Sequence, residues 1–174
     1  MKILGLPGIR PVTLQWMQKL LASLDLGQSE ATVQKYQCWS AQGTQLNLQE
    51  EATRAAQNKP DLVIAKSVGT RIALYAYVNR ILMADSYIFL GTPIINFSEK
   101  ETGDLRYMCN AARILLLQQK EDPTGHFIKL SSCLPVAPLC IHTEIPGNDH
   151  AYANIPLIKQ IVESWYVLPE LQQG

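Results

Sequence analysis

The fold turns on residues 61 to 78, DLVIAKSVGTRIALYAYV. Val63, Ile64 and Ala65 form an unbroken apolar run of the kind found in a strand buried on both faces, and Ile72 to Val78 form an apolar stretch long enough for a buried helix. Only the six residues Lys66, Ser67, Val68, Gly69, Thr70 and Arg71 stand between the two. The chain must therefore leave a strand and enter a helix at a serine, with no loop to spread the turn. Small side chains at Ala65 and Gly69 make so tight a turn possible.

Outward from this stretch, short apolar runs alternate with longer amphipathic ones, the pattern of βαβ units feeding a parallel sheet. Strands are expected at 2–6 (KILGL), 36–40 (YQCWS), 61–67 (DLVIAKS), 86–91 (SYIFLG), 113–119 (RILLLQQ) and 138–145 (PLCIHTEI). Helices are expected from Pro11 through Leu24, with Gly27 closing the segment, then over 48–57 and from the serine turn to about Ala84. Three more follow, around 105–112, 125–132 and 155–166. Leu14, Met17, Leu20, Leu21 and Leu24 recur at helical spacing, and Pro11 suits a first turn, where its missing N–H has no partner to lose. The fold class expected is α/β: one doubly wound, mostly parallel six-stranded sheet with helices on both faces, forming a single domain over 1–174.

Composition narrows the function. Fifteen basic and fifteen acidic residues cancel, so no net field gathers nucleic acid or an anionic membrane. The N-terminal MKILGLPGIRPV carries an apolar run too short for a signal-peptide core or a membrane span, so a cytoplasmic protein is expected. Cys38, Cys109, Cys133 and Cys140 show no CxxC spacing and read as reduced, core-filling thiols rather than a disulfide frame or a zinc site. No cofactor or metal is expected. Neither G-x-G-x-x-G nor a Walker A loop is present, which argues against a nucleotide binder.

Open parallel sheets carry their ligands outside the carboxyl ends of the strands. Ser67 ends the third strand, KEDPTG (120–125) follows the fifth, and PGNDHAY (146–152) follows the sixth. A serine hydroxyl becomes a useful nucleophile when a base takes its proton and an acid fixes the base. Of the three histidines, His142 lies inside a strand and His126 in a helix, which leaves His150, beyond a strand end, as the base. Asp122, before Pro123, ranks first as the acid, with Glu121 and Asp149 as competitors. Each residue also has a plain structural reading: Ser67 as a helix cap, His150 as a loop residue, Asp122 as an ordinary turn residue. Lys66 is left outside the catalytic set, and Trp16, Trp39 and Tyr152 read as core or rim packing. The apolar residues of the last helix, Ile158, Ile161, Val162 and Trp165, read as core rather than a dimer face.

The order serine, aspartate, histidine on successive strand ends resembles the α/β-hydrolase superfamily, and more narrowly its small, lid-poor members related to dienelactone hydrolases. AKSVG (65–69) is comparable to the G-K-S-x-G-like elbow of several of these, with Ala65 in place of the first glycine. The resemblance runs from KILGLPG to GNDHAY. It implies a minimal α/β-hydrolase fold in which Ser67 is the nucleophile, Asp122 the orienting acid and His150 the general base. It also implies an oxyanion hole from the Val68 N–H and the Ile9 region, with Gly8 giving close backbone approach; Pro7 stands where the family commonly has a histidine. The activity implied is hydrolysis of an ester, thioester or related acyl bond on a small molecule or an acylated protein, without cofactor. GTPIINFSEKETGDLRYM (91–108) is short for a lid, so an open crevice is expected. The Ala65 and Pro7 departures motivate the alternative, a non-catalytic binding or scaffold domain that retains the fold.

Overall fold

A computed structural model describes residues 1–40 and 45–167. Six parallel strands, β1 (Lys2–Leu6), β2 (Glu30–Val33), β3 (Leu62–Lys66), β4 (Ser86–Leu90), β5 (Arg113–Gln119) and β6 (Cys140–Ile145), form one sheet in the order β2-β1-β3-β4-β5-β6. The helices are α1 (Val12–Ser23), α2 (Leu48–Ala56), α3 (Val68–Val78), α4 (Glu99–Ala111), α5 (Phe127–Ser132) and α6 (Ile155–Val167). The doubly wound architecture is as the alternation of the sequence predicts. No described helix is long and apolar enough to cross a membrane.

The strand side chains divide between two apolar layers because successive residues face opposite ways. Leu4, Leu6, Val63, Ala65, Tyr87, Phe89, Ile114 and Leu116 pack with residues of α2, α3, α4 and α5. Ile3, Leu62, Ile64, Ile88, Leu90, Leu115 and Leu117 pack with Met17 and Leu20 of α1 and with Ile158, Val162 and Trp165 of α6. The last helix thus closes the core, as its apolar face predicts. Strands β3 and β4 are buried at every position, which is why their sequences read as unbroken apolar runs.

Several boundaries differ from the sequence reading. The second strand is Glu30–Val33, not 36–40; Gln37–Trp39 is instead a short 3₁₀ turn. An edge strand with three exposed residues of four carries little apolar signal. The conspicuous aromatic residues just after it serve the loop that follows β1. The Tyr36 hydroxyl donates to the Pro7 carbonyl at 2.6 Å, the Trp39 indole N–H donates to the Ile9 carbonyl at 2.6 Å, and the two rings stand 4.9 Å apart. Helix α3 stops at Val78 rather than near Ala84, because Arg80 adopts a φ of 55° and the Ile81 amide bonds back to Ala76. Helix α4 begins at Glu99, well before Leu105, on a capping box in which Ser98 and Glu101 bond each other's backbone amides.

Order reverses between β1 and β3: the chain moves from β1 outward to β2, then returns to β3 and proceeds the other way. Helix α1 after β1 and helix α3 after β3 lie on opposite faces, so their entry loops diverge and open a crevice above the sheet. Gly69 holds α3 close to that crevice. A Cβ there would penetrate the Leu6 carbonyl oxygen and lie 2.9 Å from the Pro7 oxygen. Gly69→Ala is therefore expected to destabilise the protein by about 1–3 kcal/mol or more, measured as a lower midpoint in urea unfolding.

Candidate functional site

Ser67 occupies the single residue between β3 and α3 with φ 55° and ψ −120°. Such a backbone costs a non-glycine residue on the order of 1–3 kcal/mol, so the surroundings must hold it. They do so from both sides. The Ser67 amide donates to Leu90 O on β4 at 2.9 Å, and its carbonyl accepts from both the amide (2.9 Å) and the hydroxyl (2.7 Å) of Thr70. Its side chain makes no capping hydrogen bond to α3, which removes the reading of this serine as a helix cap. The Val68 amide opens the helix, where backbone N–H groups lack intrahelical partners. Gly8 passes nearby, a Cβ built on it lying 3.6 Å from Ser67 Cβ.

His150 and Asp122 meet across the ends of β5 and β6. The imidazole Nδ1 lies 2.9 and 3.0 Å from the two oxygens of Asp122. An ionised carboxylate can only accept, so Nδ1 carries the proton, and in the neutral ring Nε2 keeps a free lone pair. Nε2 is buried and has no hydrogen-bond partner among the described residues. Asp122 itself is fully buried and well supplied: the Thr124 amide and hydroxyl donate to Oδ1 at 2.8 and 2.7 Å, and the Tyr152 hydroxyl donates to Oδ2 at 2.8 Å. Burial pushes the Asp122 pKa up, but the His150 ring, Thr124 and Tyr152 outweigh it and hold the carboxyl below its ordinary value.

The competing carboxylates are engaged elsewhere. Glu121 pairs with His126 at 3.3 Å on the surface, while Asp149 accepts from the Gln119 amide group at 3.0 Å and from the Ala151 backbone at 2.9 Å. His142 stays within β6, away from the crevice.

Four residues matter here that sequence reading left aside. Gln119 ends β5, and its side-chain oxygen accepts from the amides of Asp149 (3.2 Å) and His150 (2.9 Å), tying the histidine loop to the strand that leads into Asp122. Tyr152, expected as packing, bridges the Gln119 amide and Asp122 with its hydroxyl. Thr124 is the third. Lys66 is the fourth: only 3% exposed, it donates to the His150 carbonyl at 2.9 Å, with its ammonium 5.3 Å from the Trp16 ring centre and 5.2 Å from that of Tyr152. Burial lowers its pKa to about 8, although Asp122 and Asp149 oppose the fall. One signal for this network was present in the sequence: two glutamines at the end of RILLLQQ, both buried, in an otherwise apolar strand.

His150 and Tyr152 both have positive φ, 58° and 59°, so the loop is wound tightly enough to return its imidazole over the sheet. Gly91 makes room for that ring; a Cβ at this position, whose φ is 61°, would stand 2.9 Å from His150 Cε1 and 2.8 Å from the Tyr152 ring. Ser67 and His150 line one crevice of about 540 Å³, with Gly8, Ile9, Trp16 and Lys66 among its other walls.

No protein-family model matches the chain, and no curated protein matches it by sequence. Solved structures do match in shape. The α/β-hydrolase enzyme MGS-MChE2, from the metagenome of sediments from the lagoon of Mar Chica, Morocco, superposes with a TM-score of 0.65 at 12% identity, over 95% of this chain and 90% of that one. An α/β serine hydrolase homologue from Coxiella burnetii gives 0.65 at 14% identity, over 94% and 83%. YbtT, the type II thioesterase from the yersiniabactin biosynthetic pathway, gives 0.54 at 14% identity, over 94% and 89%. The chain has the α/β-hydrolase fold.

The depressed Asp122 pKa sets a pH dependence. Its folded value lies below the unfolded value of about 3.9, so the stabilisation is complete above that pH and is lost as pH falls from there through the folded pKa. Urea unfolding between pH 5 and pH 2.5 is expected to show this decline in the wild type. Asp122→Asn should be less stable at pH 7 and show a flatter decline across the same window.

Proposed function

We propose that the protein is a serine hydrolase that cleaves an ester, thioester or related acyl bond, built on the small, lid-poor plan of the dienelactone hydrolase relatives. The observation that carries this reading is the conjunction of a strained, uncapping Ser67 with an imidazole whose Nδ1 is held by a buried carboxylate, the two sharing one crevice. A structural serine gains nothing from that backbone. A buried imidazole nitrogen without a partner likewise contributes nothing to stability.

Each group then has a step. His150 Nε2 takes the Ser67 proton as Oγ attacks the acyl carbon, and Asp122 stabilises the imidazolium that results. The Val68 amide, together with the backbone near Gly8 and Ile9, receives the charge developing on the acyl oxygen. His150 returns its proton to the leaving group as the acyl-serine forms. Water, deprotonated by the same imidazole, then releases the acid and restores Ser67. Lys66 and Gln119 act through His150 by fixing its loop at the carbonyl and at the amide. A crevice of about 540 Å³ suits a modest acyl group, free or carried on another protein.

Labelling with a fluorophosphonate tests the reading. The wild type should label, and folded Ser67→Ala and His150→Ala should not. Against a series of small esters and thioesters, Asp122→Asn should lower kcat by roughly 10⁴-fold, the loss seen when a triad carboxylate of this type is replaced in other enzymes. A folded wild type that takes no label and turns over none of these esters would overturn the proposal in favour of a binding domain.

A further inference from the structure

The four cysteines are free thiols, and two of them meet a histidine well away from the serine crevice. Cys109 comes from α4, and Cys140 and His142 come from β6, where a spacing of two places them on one face. That face is fixed by register, since Cys140 pairs with Ile114 and His142 with Leu116, both of which pack toward α4. The two sulfurs and a ring nitrogen all lie within 4.8 Å of one another. We propose that Cys109, Cys140 and His142 form a binding site for a thiophilic divalent cation, Zn²⁺, that clamps edge strand β6 to α4.

The distances suit such an ion. Zinc bonds of about 2.3 Å to sulfur and 2.0–2.1 Å to nitrogen hold neighbouring donors roughly 3.5–4 Å apart, so closure requires each donor to move by less than about 1 Å. The donor set selects the ion. Two thiolates and an imidazole favour zinc or monovalent copper over magnesium, calcium or manganese, which prefer oxygen. Charge then separates the first two, because two thiolates neutralise Zn²⁺ but leave Cu⁺ with a net negative charge in an apolar layer.

The site also carries the mark of a missing partner. His142 Nε2 is buried without a hydrogen bond among the described residues, a polar nitrogen taken from water with nothing in return. Cys109 is fully buried and Cys140 is 8% exposed. Zinc binding would displace the thiol protons of Cys109 and Cys140 to solvent. The three ligands leave one coordination position for water or a small anion. Sequence spacing conceals the site because its helix ligand lies 31 positions before the first strand ligand, with no CxxC pair.

The test uses the full-length, reduced, metal-free protein titrated with Zn²⁺ against a chromophoric chelator, with Co²⁺ as a spectroscopic substitute. One equivalent should bind, Tm should rise by several degrees, and Co²⁺ should give a thiolate-to-cobalt charge-transfer band. His142→Ala, a change at a partly exposed edge position that leaves both thiols in the core, should weaken Zn²⁺ binding by more than roughly 100-fold, since loss of even an outer-sphere partner costs 10- to 100-fold. Cys140→Ser should abolish the cobalt band, and the double variant Cys38→Ser/Cys133→Ser should bind as the wild type does. The proposal is overturned if no equivalent binds, if His142→Ala binds as tightly as wild type, or if binding follows Cys38 and Cys133. It is overturned equally if Cu⁺ saturates the site while Zn²⁺ does not enter, or if mass spectrometry of the protein prepared without reductant shows a Cys109–Cys140 disulfide.

Discussion

The turn at Ser67 is the constraint on which the rest of the molecule depends. A parallel sheet needs a helix after each strand, and here β3 passes into α3 through a single residue whose backbone lies outside the regions that side chains favour. That arrangement persists only because neighbouring elements are committed to it. Strand β4 accepts the serine amide, Thr70 bonds its carbonyl twice, and the absent side chain of Gly69 lets α3 sit against the end of β1. The same approach brings the loop after β1 beside Ser67, so the crevice at the switch in strand order and the strained residue within it have one cause.

The opposite wall is held by polar groups rather than by packing. Asp122 is buried, and it stays ionised because the imidazole, a threonine and a tyrosine supply what water no longer can. Tyr152 illustrates how economical this is, since one hydroxyl accepts from the end of β5 and donates to the carboxylate beyond it. Lys66 is a buried cation with no carboxylate partner among the described residues, stabilised by a carbonyl and two aromatic faces, and its ammonium ties β3 to the histidine loop.

Much of this was legible in the sequence, for reasons that can be named. Strands β3 and β4 are buried on both sides and so appear as continuous apolar runs, and the serine turn is visible as an interruption with no room for a loop. Ser67, Asp122 and His150 stand at strand ends because strand ends could be located. The edge strand β2 was misread, since a strand exposed on most of its length carries no apolar period, whereas Tyr36 and Trp39 nearby carry a strong apolar signal for another purpose. The start of α4 was missed although its capping pair, Ser98 and Glu101, was present to be read. Gln119, Tyr152 and the meeting of Cys109 with Cys140 and His142 depend on contacts between residues 30 to 33 positions apart, and no local pattern encodes those.

Gln119 has a consequence for how the chain can vary. Its side chain grips the amides of Asp149 and His150 while its own amide holds Tyr152, so the end of β5 and the histidine loop are splinted directly together. The histidine does not inherit its position by dead reckoning along the intervening α5 and β6. Residues 126 to 144 behave, for the crevice, as a detour whose two ends are already joined. Lengthening or exchanging that detour changes the sheet's outer margin and leaves the imidazole where the splint puts it.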